Sequence, residues 1–384
     1  MDTANQIAYD FSPYLVVYKD GRVNRLVGTD FVPSSLDPTS VSSKDLEILA
    51  DVNVSARLYL PKIADPSSKK LPILVHFHGG GFLIGTPFCT PYHTFLTSLV
   101  SEAHVIAVSI HYRRAPENPL PTAYEDSWAA LKWVMAQSSA SGSEPWLAQH
   151  GAFDRIVLAG DSAGANIAHN LLMRAGNSEL RELGHKIYGG ILIHPYFCGP
   201  DPIGNEILDP GMKAVGDGMW MYACPNTSGL DDPRINPTGI GAPSLSGLGC
   251  GRVMVCVAEK DVWRDRGCVY FKALCGSGWD GVGEMMESKG EDHVFFLLKP
   301  GCGNAEKMMS RLAAWINFES GGSGLCDLGI LDGRPWAFCG KEWPFTLSMD
   351  MDITLFKSIV LVPKLHCCSC LANIRLKMEY ISLQ

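Results

Sequence analysis

The stretch Arg155-Ile156-Val157-Leu158-Ala159-Gly160-Asp161-Ser162-Ala163-Gly164-Ala165 decides the fold. Its first half is a nearly continuous apolar run, the pattern of a strand covered on both faces. The run ends at Gly160, and a helical pattern begins near Ala165. A strand that turns at once into a helix forces the residue at the turn into strained backbone and pushes its side chain outward. Ser162 is that residue. Glycines flank it at 160 and 164 because a Cβ at either place would strike the neighbouring strand or helix. Without a buried strand before it, Gly-x-Ser-x-Gly is a glycine-rich turn with an incidental serine. With one, Ser162 is a candidate nucleophile.

Working outward, four more short apolar runs alternate with helical patterns. They are Leu71–His78, Val105–Tyr112, Gly190–His194 and Arg252–Ala258. Helices are predicted at Tyr92–Glu102, Ala123–Gln137, Ala165–Ala175, Arg264–Cys275 and Ala305–Phe318. In the second of these, Trp128, Leu131, Val134 and Met135 share one helical face. Strands alternating with helices predict an α/β domain, a mostly parallel central sheet flanked by helices on both sides.

Two stretches interrupt the alternation. Residues 10–57 open with a polar, turn-rich segment, and 197–251 form an insert rich in Gly, Pro and Asp between two core strands. An insert of that length is more often functional than idle. The expected organisation is one domain over 1–318, with a lid built from about 1–45 and 197–245. From 319 to 384 the chain changes character, opening on Gly321-Gly322-Ser323-Gly324 and carrying five of the thirteen cysteines. This tail is expected to be atypical and poorly ordered. His366, Cys367, Cys368 and Cys370 are too crowded for the usual paired metal-ligand spacing, so no metal is assigned.

The first apolar run leads directly into His78-Gly79-Gly80-Gly81-Phe82. Acyl transfer places negative charge on a carbonyl oxygen, and a glycine loop can aim backbone N–H groups at it. Gly79, Gly80 and Gly81 with Ala163 form the candidate oxyanion hole, with Gly80, Gly81 and Ala163 as its three donors. A phosphate-binding loop would end in Lys and Ser/Thr, and Phe82-Leu83-Ile84 supplies neither. His78 is assigned to holding the loop.

A serine hydroxyl needs a base to take its proton. Behind a strand–turn–helix nucleophile the acid and then the histidine follow in chain order, each after a later strand. Asp261 lies just past Arg252–Ala258, and His293 lies after a weaker strand candidate at Glu284–Glu287. Asp265 and Asp292 are rivals for the acid. The first would lie on a helix beyond the strand end, and the second is too near its neighbour to orient it, so Asp261 is preferred. Of eleven histidines, only His293 and His366 follow Asp261, and His366 is in the tail.

Composition narrows the partners. The 384 residues are 46% hydrophobic and 19% charged, which supports a sizeable core. Acidic residues outnumber basic ones 40 to 32, and no dense Lys/Arg run appears, so neither nucleic acid nor an anionic membrane is an expected partner. No basic start with an apolar stretch marks the N-terminus, and no window approaches a membrane span. The expectation is a cytoplasmic protein, monomer or homodimer, with reduced and mostly buried thiols.

With these residues in place, the chain closely resembles the plant carboxylesterase family, a branch of the hormone-sensitive-lipase group of α/β-hydrolases. The resemblance runs from about Tyr9 to Phe318. It is carried by His78–Phe82, Tyr112-Arg113-Arg114-Ala115-Pro116-Glu117, Gly160–Asn166, His194-Pro195-Tyr196-Phe197, Asp231-Asp232-Pro233, Ala258–Asp261 and His293-Val294-Phe295. It implies the α/β-hydrolase fold, a Ser162–His293–Asp261 triad, no cofactor, and hydrolysis of small carboxylic esters. Similar gibberellin receptors lack the catalytic histidine, so His293 favours an enzyme over a small-molecule receptor. Similar 2-hydroxyisoflavanone dehydratases use the same site for elimination, which is the alternative reaction. His111 departs from the Asp that usually precedes Tyr-Arg in the family, and the tail from 319 has no counterpart there.

Overall fold

The structure, a computed structural model, describes residues 5–37, 39–63, 69–139, 142–177 and 186–318, and the backbone of Ala337–Cys339. The expected disorder of the tail and its His366–Cys370 cluster lie outside the described residues.

The strands in chain order are β1 (Ile7–Phe11), β2 (Leu15–Tyr18), β3 (Val23–Arg25), β4 (Ser42–Leu49), β5 (Val54–Leu60), β6 (Leu71–Phe77), β7 (Ile106–His111), β8 (Gly151–Asp161), β9 (Ile187–Ile193), β10 (Arg252–Ala258), β11 (Val282–Ser288) and β12 (Ala337–Cys339). The helices are α1 (Thr90–Ala103), α2 (Thr122–Ala136), α3 (Pro145–His150), α4 (Ala163–Gly176), α5 (Asn205–Leu208), α6 (Pro210–Ala223), α7 (Arg264–Gly276), α8 (Phe295–Leu298) and α9 (Gly303–Asn317). The central sheet runs β12-β11-β10-β9-β8-β6-β7-β5-β4. From β11 to β7 every neighbouring pair is parallel, while β12, β5 and β4 join antiparallel at the two edges.

Burial on both faces explains the continuous apolar runs. Ile73, Val75 and Phe77 of β6 join one core, with Trp128 and Leu131 of α2, Ile167 and Leu171 of α4, and Tyr270 of α7. Leu74, between them, joins the opposite core with Phe95 and Leu99 of α1 and Met308 and Trp315 of α9. Successive residues of one strand thus face different helix layers, and both layers are apolar.

The expected parallel strands and their helices are present, with ends displaced by a few residues. The antiparallel pair β4–β5 was not foreseen. Its alternation is short and polar, Ser42-Ser43-Lys44-Asp45, because an edge strand covers only part of the core. Asp45 lies directly across from Arg57, whose guanidinium is fully buried and bonded to it at 2.6 Å. The central sheet therefore begins inside the segment expected to be lid.

The rest of the N-terminal segment forms a separate sheet, β1-β2-β3. It packs on α6 of the insert through Tyr9 and Phe11, whose rings lie 4.5 and 5.5 Å from that of Tyr222. Arg25 ties this sheet to the loops after β6 and β7, donating to Leu83 O at 2.6 Å and pairing with Glu117. Seven described cysteines carry free thiols, as expected, whereas Cys275 is disulfide-bonded. Among the described residues, no helix is long and apolar enough to cross a membrane.

Candidate active site

The predicted site residues all follow the C-terminal ends of parallel strands, where open α/β sheets place their ligands. Ser162 follows β8, the glycine loop follows β6, Asp261 follows β10 and His293 follows β11. Ser162 caps α4 with φ 51° and ψ −118°, the strained turn that its sequence context predicts. Its N–H donates to Ile193 O at 2.9 Å, fixing the elbow to the end of β9. A Cβ at Gly160 would sit 2.6 Å from Phe77 O, and one at Gly164 would run into the same carbonyl. Neither position has room for a methyl group.

Asp261 and His293 meet. The loops after β10 and β11 are zipped together by Glu259 N–H to Ser288 O (3.0 Å) and Lys260 N–H to Glu291 O (2.9 Å). His293 Nδ1 then lies 2.7 Å from Asp261 Oδ2, while Asp261 Oδ1 accepts the Trp263 N–H at 2.9 Å. Burial works to raise the Asp261 carboxyl, but the His293 charge and these hydrogen bonds overcome it and leave the group below the ordinary range. An ionised carboxylate accepts, so His293 carries its proton on Nδ1 and leaves Nε2 as the basic atom. Asp265 instead receives the Asn205 N–H and pairs with Arg264, so it is occupied away from the imidazole.

Among the described residues, no hydrogen bond joins the Ser162 hydroxyl to His293. They are linked through packed rings. Tyr196 donates its N–H to Ser162 O at 3.1 Å, its ring lies 5.1 Å from Trp263, and Trp263 stands edge-on to His293 at 4.7 Å. Asp161 is buried and pushed up to about 6, chiefly by burial, with the Tyr92 hydrogen bond and the His293 charge opposing it.

The glycine loop requires one correction. Gly79 N–H donates to the Tyr92 hydroxyl at 2.7 Å, so it is not available to a substrate oxygen. Gly79 has another constraint, since a Cβ there would press on Asp161 Oδ2 and lie 3.0 Å from the Tyr92 hydroxyl. Among the described residues the N–H groups of Gly80 and Gly81 make no backbone hydrogen bond, and Ala163 stands at the first position of α4, where N–H groups lack intrahelical partners. His78 holds the loop as assigned. Its ring stacks on Tyr112 at 4.2 Å, and burial keeps it neutral, so Nδ1–H donates to Gly79 O at 2.8 Å.

Sequence reasoning gave no role to His194 or Tyr92. The His194 Nδ1 accepts the Val294 N–H at 2.9 Å, which pins the residue after His293 in a left-handed conformation (φ 47°). His194, Asp261 and His293 bring potential ligand atoms within 4.8 Å of one another. Within the cluster, Asp261 Oδ2 holds His293 Nδ1, and His194 Nδ1 holds the residue that follows His293. The donor set fits an oriented imidazole better than a metal. A cavity of about 160 Å³ lined by His169, Met173, Arg174 and Arg234 contains none of these residues.

Comparison with known proteins bears on the identity. A family model described as alpha/beta hydrolase fold matches residues 74–297. The chain is 48% identical over 316 residues to probable carboxylesterase 2 of Arabidopsis thaliana, covering 82% of this chain and 98% of that protein. It is 45% identical over 315 residues to the chloroplastic tuliposide A-converting enzyme 1 of Tulipa gesneriana, covering 82% and 79%. Among solved structures, EstE1, a thermostable carboxylesterase from a metagenomic library, is similar with TM-score 0.61 and 25% identity over 74% of this chain and 90% of that one. The esterase of Pyrobaculum calidifontis is similar with TM-score 0.59 and 26% identity over 72% and 84%. The chain thus belongs to the plant carboxylesterase family, in the hormone-sensitive-lipase-like branch of the α/β-hydrolases, and is a serine hydrolase acting on carboxylic esters.

Proposed function

We propose that Ser162, His293 and Asp261 are the catalytic triad and that hydrolysis runs through an acyl-enzyme on Ser162. The Asp261–His293 contact of 2.7 Å carries the reading, because it fixes the tautomer that leaves Nε2 free to accept a proton. In the first half-reaction, His293 Nε2 takes the hydroxyl proton as the Ser162 oxygen bonds to the ester carbonyl carbon. The negative charge on the carbonyl oxygen is met by the N–H groups of Gly80, Gly81 and Ala163. Collapse breaks the ester bond, and the alcohol leaves with the proton from His293. Water repeats the steps, releasing the acid and restoring Ser162. A fluorophosphonate probe tests the nucleophile. Peptide mapping is expected to find the label on Ser162, and a label elsewhere would refute the assignment.

The substrate is a small carboxylic ester, and no cofactor enters the scheme. The N-terminal sheet and the insert act as the lid. Two observations support this: Met219 of α6 lies where a Cβ on Gly81 would strike it, and Gly216, one turn earlier, lies 2.6 Å from Trp263 by the same measure. Helix α6 thus spans from the oxyanion loop to the ring packed on His293. Met219→Ala is expected to raise the ratio of kcat/KM for p-nitrophenyl octanoate over acetate by about 5–20-fold, since a few methylenes of space are worth about 1–3 kcal/mol. An unchanged ratio would remove Met219 from the substrate's path. The second reading is elimination in this same site, the reaction implied by the resemblance to 2-hydroxyisoflavanone dehydratases. Product analysis with a hydroxylated substrate separates the two, since hydrolysis releases an acid. The cytoplasm is the proposed location, although the tulip relatives are named as plastid proteins.

A further inference from the structure

The nucleophile and the oxyanion loop belong to different strands, β8 and β6, yet their spacing must be held to a fraction of an ångström for the donors to meet the oxyanion. One hydroxyl touches both elements. Tyr92, on the first turn of α1, accepts the Gly79 N–H at 2.7 Å and donates to Asp161 Oδ2 at 2.9 Å. Gly79 opens the oxyanion loop, and Asp161 immediately precedes Ser162. All three are buried: Tyr92 is 6% exposed and Asp161 1%. Burial holds the phenol well above its ordinary value, so it keeps the proton it donates.

We propose that Tyr92 is a positioning residue for the hydrolytic reaction, its hydroxyl setting the distance between the Ser162 elbow and the oxyanion donors by bridging Asp161 to Gly79. This rests on the reading of Ser162 as nucleophile and of Gly80, Gly81 and Ala163 as oxyanion donors. Three further features fit it. The absence of a side chain at Gly79 is required by this bridge, because a Cβ there would displace both Asp161 Oδ2 and the Tyr92 hydroxyl. The other face of the loop is held separately, by His78 stacked on Tyr112 and by the Tyr112 hydroxyl donating to His78 O at 2.7 Å. Asp161 Oδ1 and His76 Nε2 lie 4.0 Å apart, buried and without hydrogen-bond partners, so Oδ2 carries the described hydrogen bond of this carboxylate. Beyond the β6–β8 ladder, which ends at Phe77 and Gly160, the Tyr92 hydroxyl is thus the side-chain tie between the loop and the elbow.

Tyr92→Phe removes one oxygen and keeps the ring, which packs against His76 and His78. The expected result is a fall in kcat of about 10–100-fold for p-nitrophenyl butyrate with KM within about three-fold, because misplaced donors weaken the transition state more than the bound ester. Affinity for a trifluoromethyl ketone, which occupies the oxyanion hole as a tetrahedral adduct, should fall in parallel. A role confined to stability would leave kcat in place and lower only the melting temperature. Asp161→Ala should lose as much as Tyr92→Phe, and the double variant should lose no more than the worse single one. Asp161→Asn, which keeps an oxygen for Tyr92 to donate to, should recover at least ten-fold over Asp161→Ala and serves if Tyr92→Phe fails to fold. A kcat for Tyr92→Phe within three-fold of the parent, a loss seen only in KM, or losses that multiply in the double variant would overturn the proposal. Ser162→Ala assayed beside them keeps the two failures apart. If it is inert while Tyr92→Phe is fully active, the bridge alone is wrong. If it is fully active, the nucleophile assignment beneath the bridge is wrong.

Discussion

Ser162→Ala is expected to lower kcat for a short p-nitrophenyl ester by about 10⁵–10⁶-fold, leaving only the catalysis that the oxyanion donors and substrate binding supply. On the transition-state scale that is about 7–8 kcal/mol. The change is small in structural terms. The Ser162 backbone is anchored by its N–H to Ile193 O and by Tyr196 N–H to its carbonyl, and alanine keeps both bonds. The hydroxyl itself makes no hydrogen bond to His293 among the described residues, so its removal strands no partner there. The melting temperature of Ser162→Ala should therefore equal or slightly exceed that of the parent. Activity loss with an unchanged melting temperature separates chemistry from folding. Comparable rates in the two proteins would end the case for this nucleophile.

The second large effect is at Asp261. Asp261→Asn is expected to lower kcat by about 10⁴-fold, although the change is nearly isosteric. The carboxylate accepts from His293 Nδ1 and so keeps the imidazole lone pair on Nε2. An amide can present its NH₂ group to Nδ1, which draws the lone pair to that side and puts the proton on Nε2, where it cannot accept one from Ser162. Stability should change in a defined direction with pH. The Asp261 carboxyl lies below its ordinary value in the folded chain, so its contribution is present above about pH 4 and is lost as pH falls through the lowered value. Asp261→Asn should lose that part of the acid sensitivity. Unfolding by denaturant at pH 3 and pH 7 measures it, and identical pH dependence in the two proteins would count against an ionised Asp261. The same variant should keep Trp263 N–H bonded, since the amide oxygen can still accept from it.

The residues that make these predictions possible were legible in the sequence to different degrees. Ser162, Asp261 and His293 could be named because each follows an apolar run, and chain order does the rest. Asp265 could be set aside for its place on a helix, and the structure occupies it with Asn205 and Arg264. Gly79 was placed in the candidate oxyanion hole beside the three donors because a run of three glycines gives no indication of which N–H is already bonded. Only the Tyr92 hydroxyl decides that, and it arrives from a different helix. His194 stood in a recognisable segment, but its acceptor role depends on Val294, 100 positions away.

The sequence alone determined the alternation of buried strands and helices, the strained serine at the end of β8 and the order in which acid and histidine follow. These are local properties: continuous apolarity, glycines beside a turn, and the position of a polar residue just past a strand. The tertiary structure decided which amide of the glycine loop is already bonded, how the edge pair β4–β5 closes the sheet, and that α6 reaches from Gly81 to Trp263. Each of those depends on side chains that meet through space, as Tyr92 and Asp161 do across 69 positions, and no periodicity within one segment encodes such a meeting.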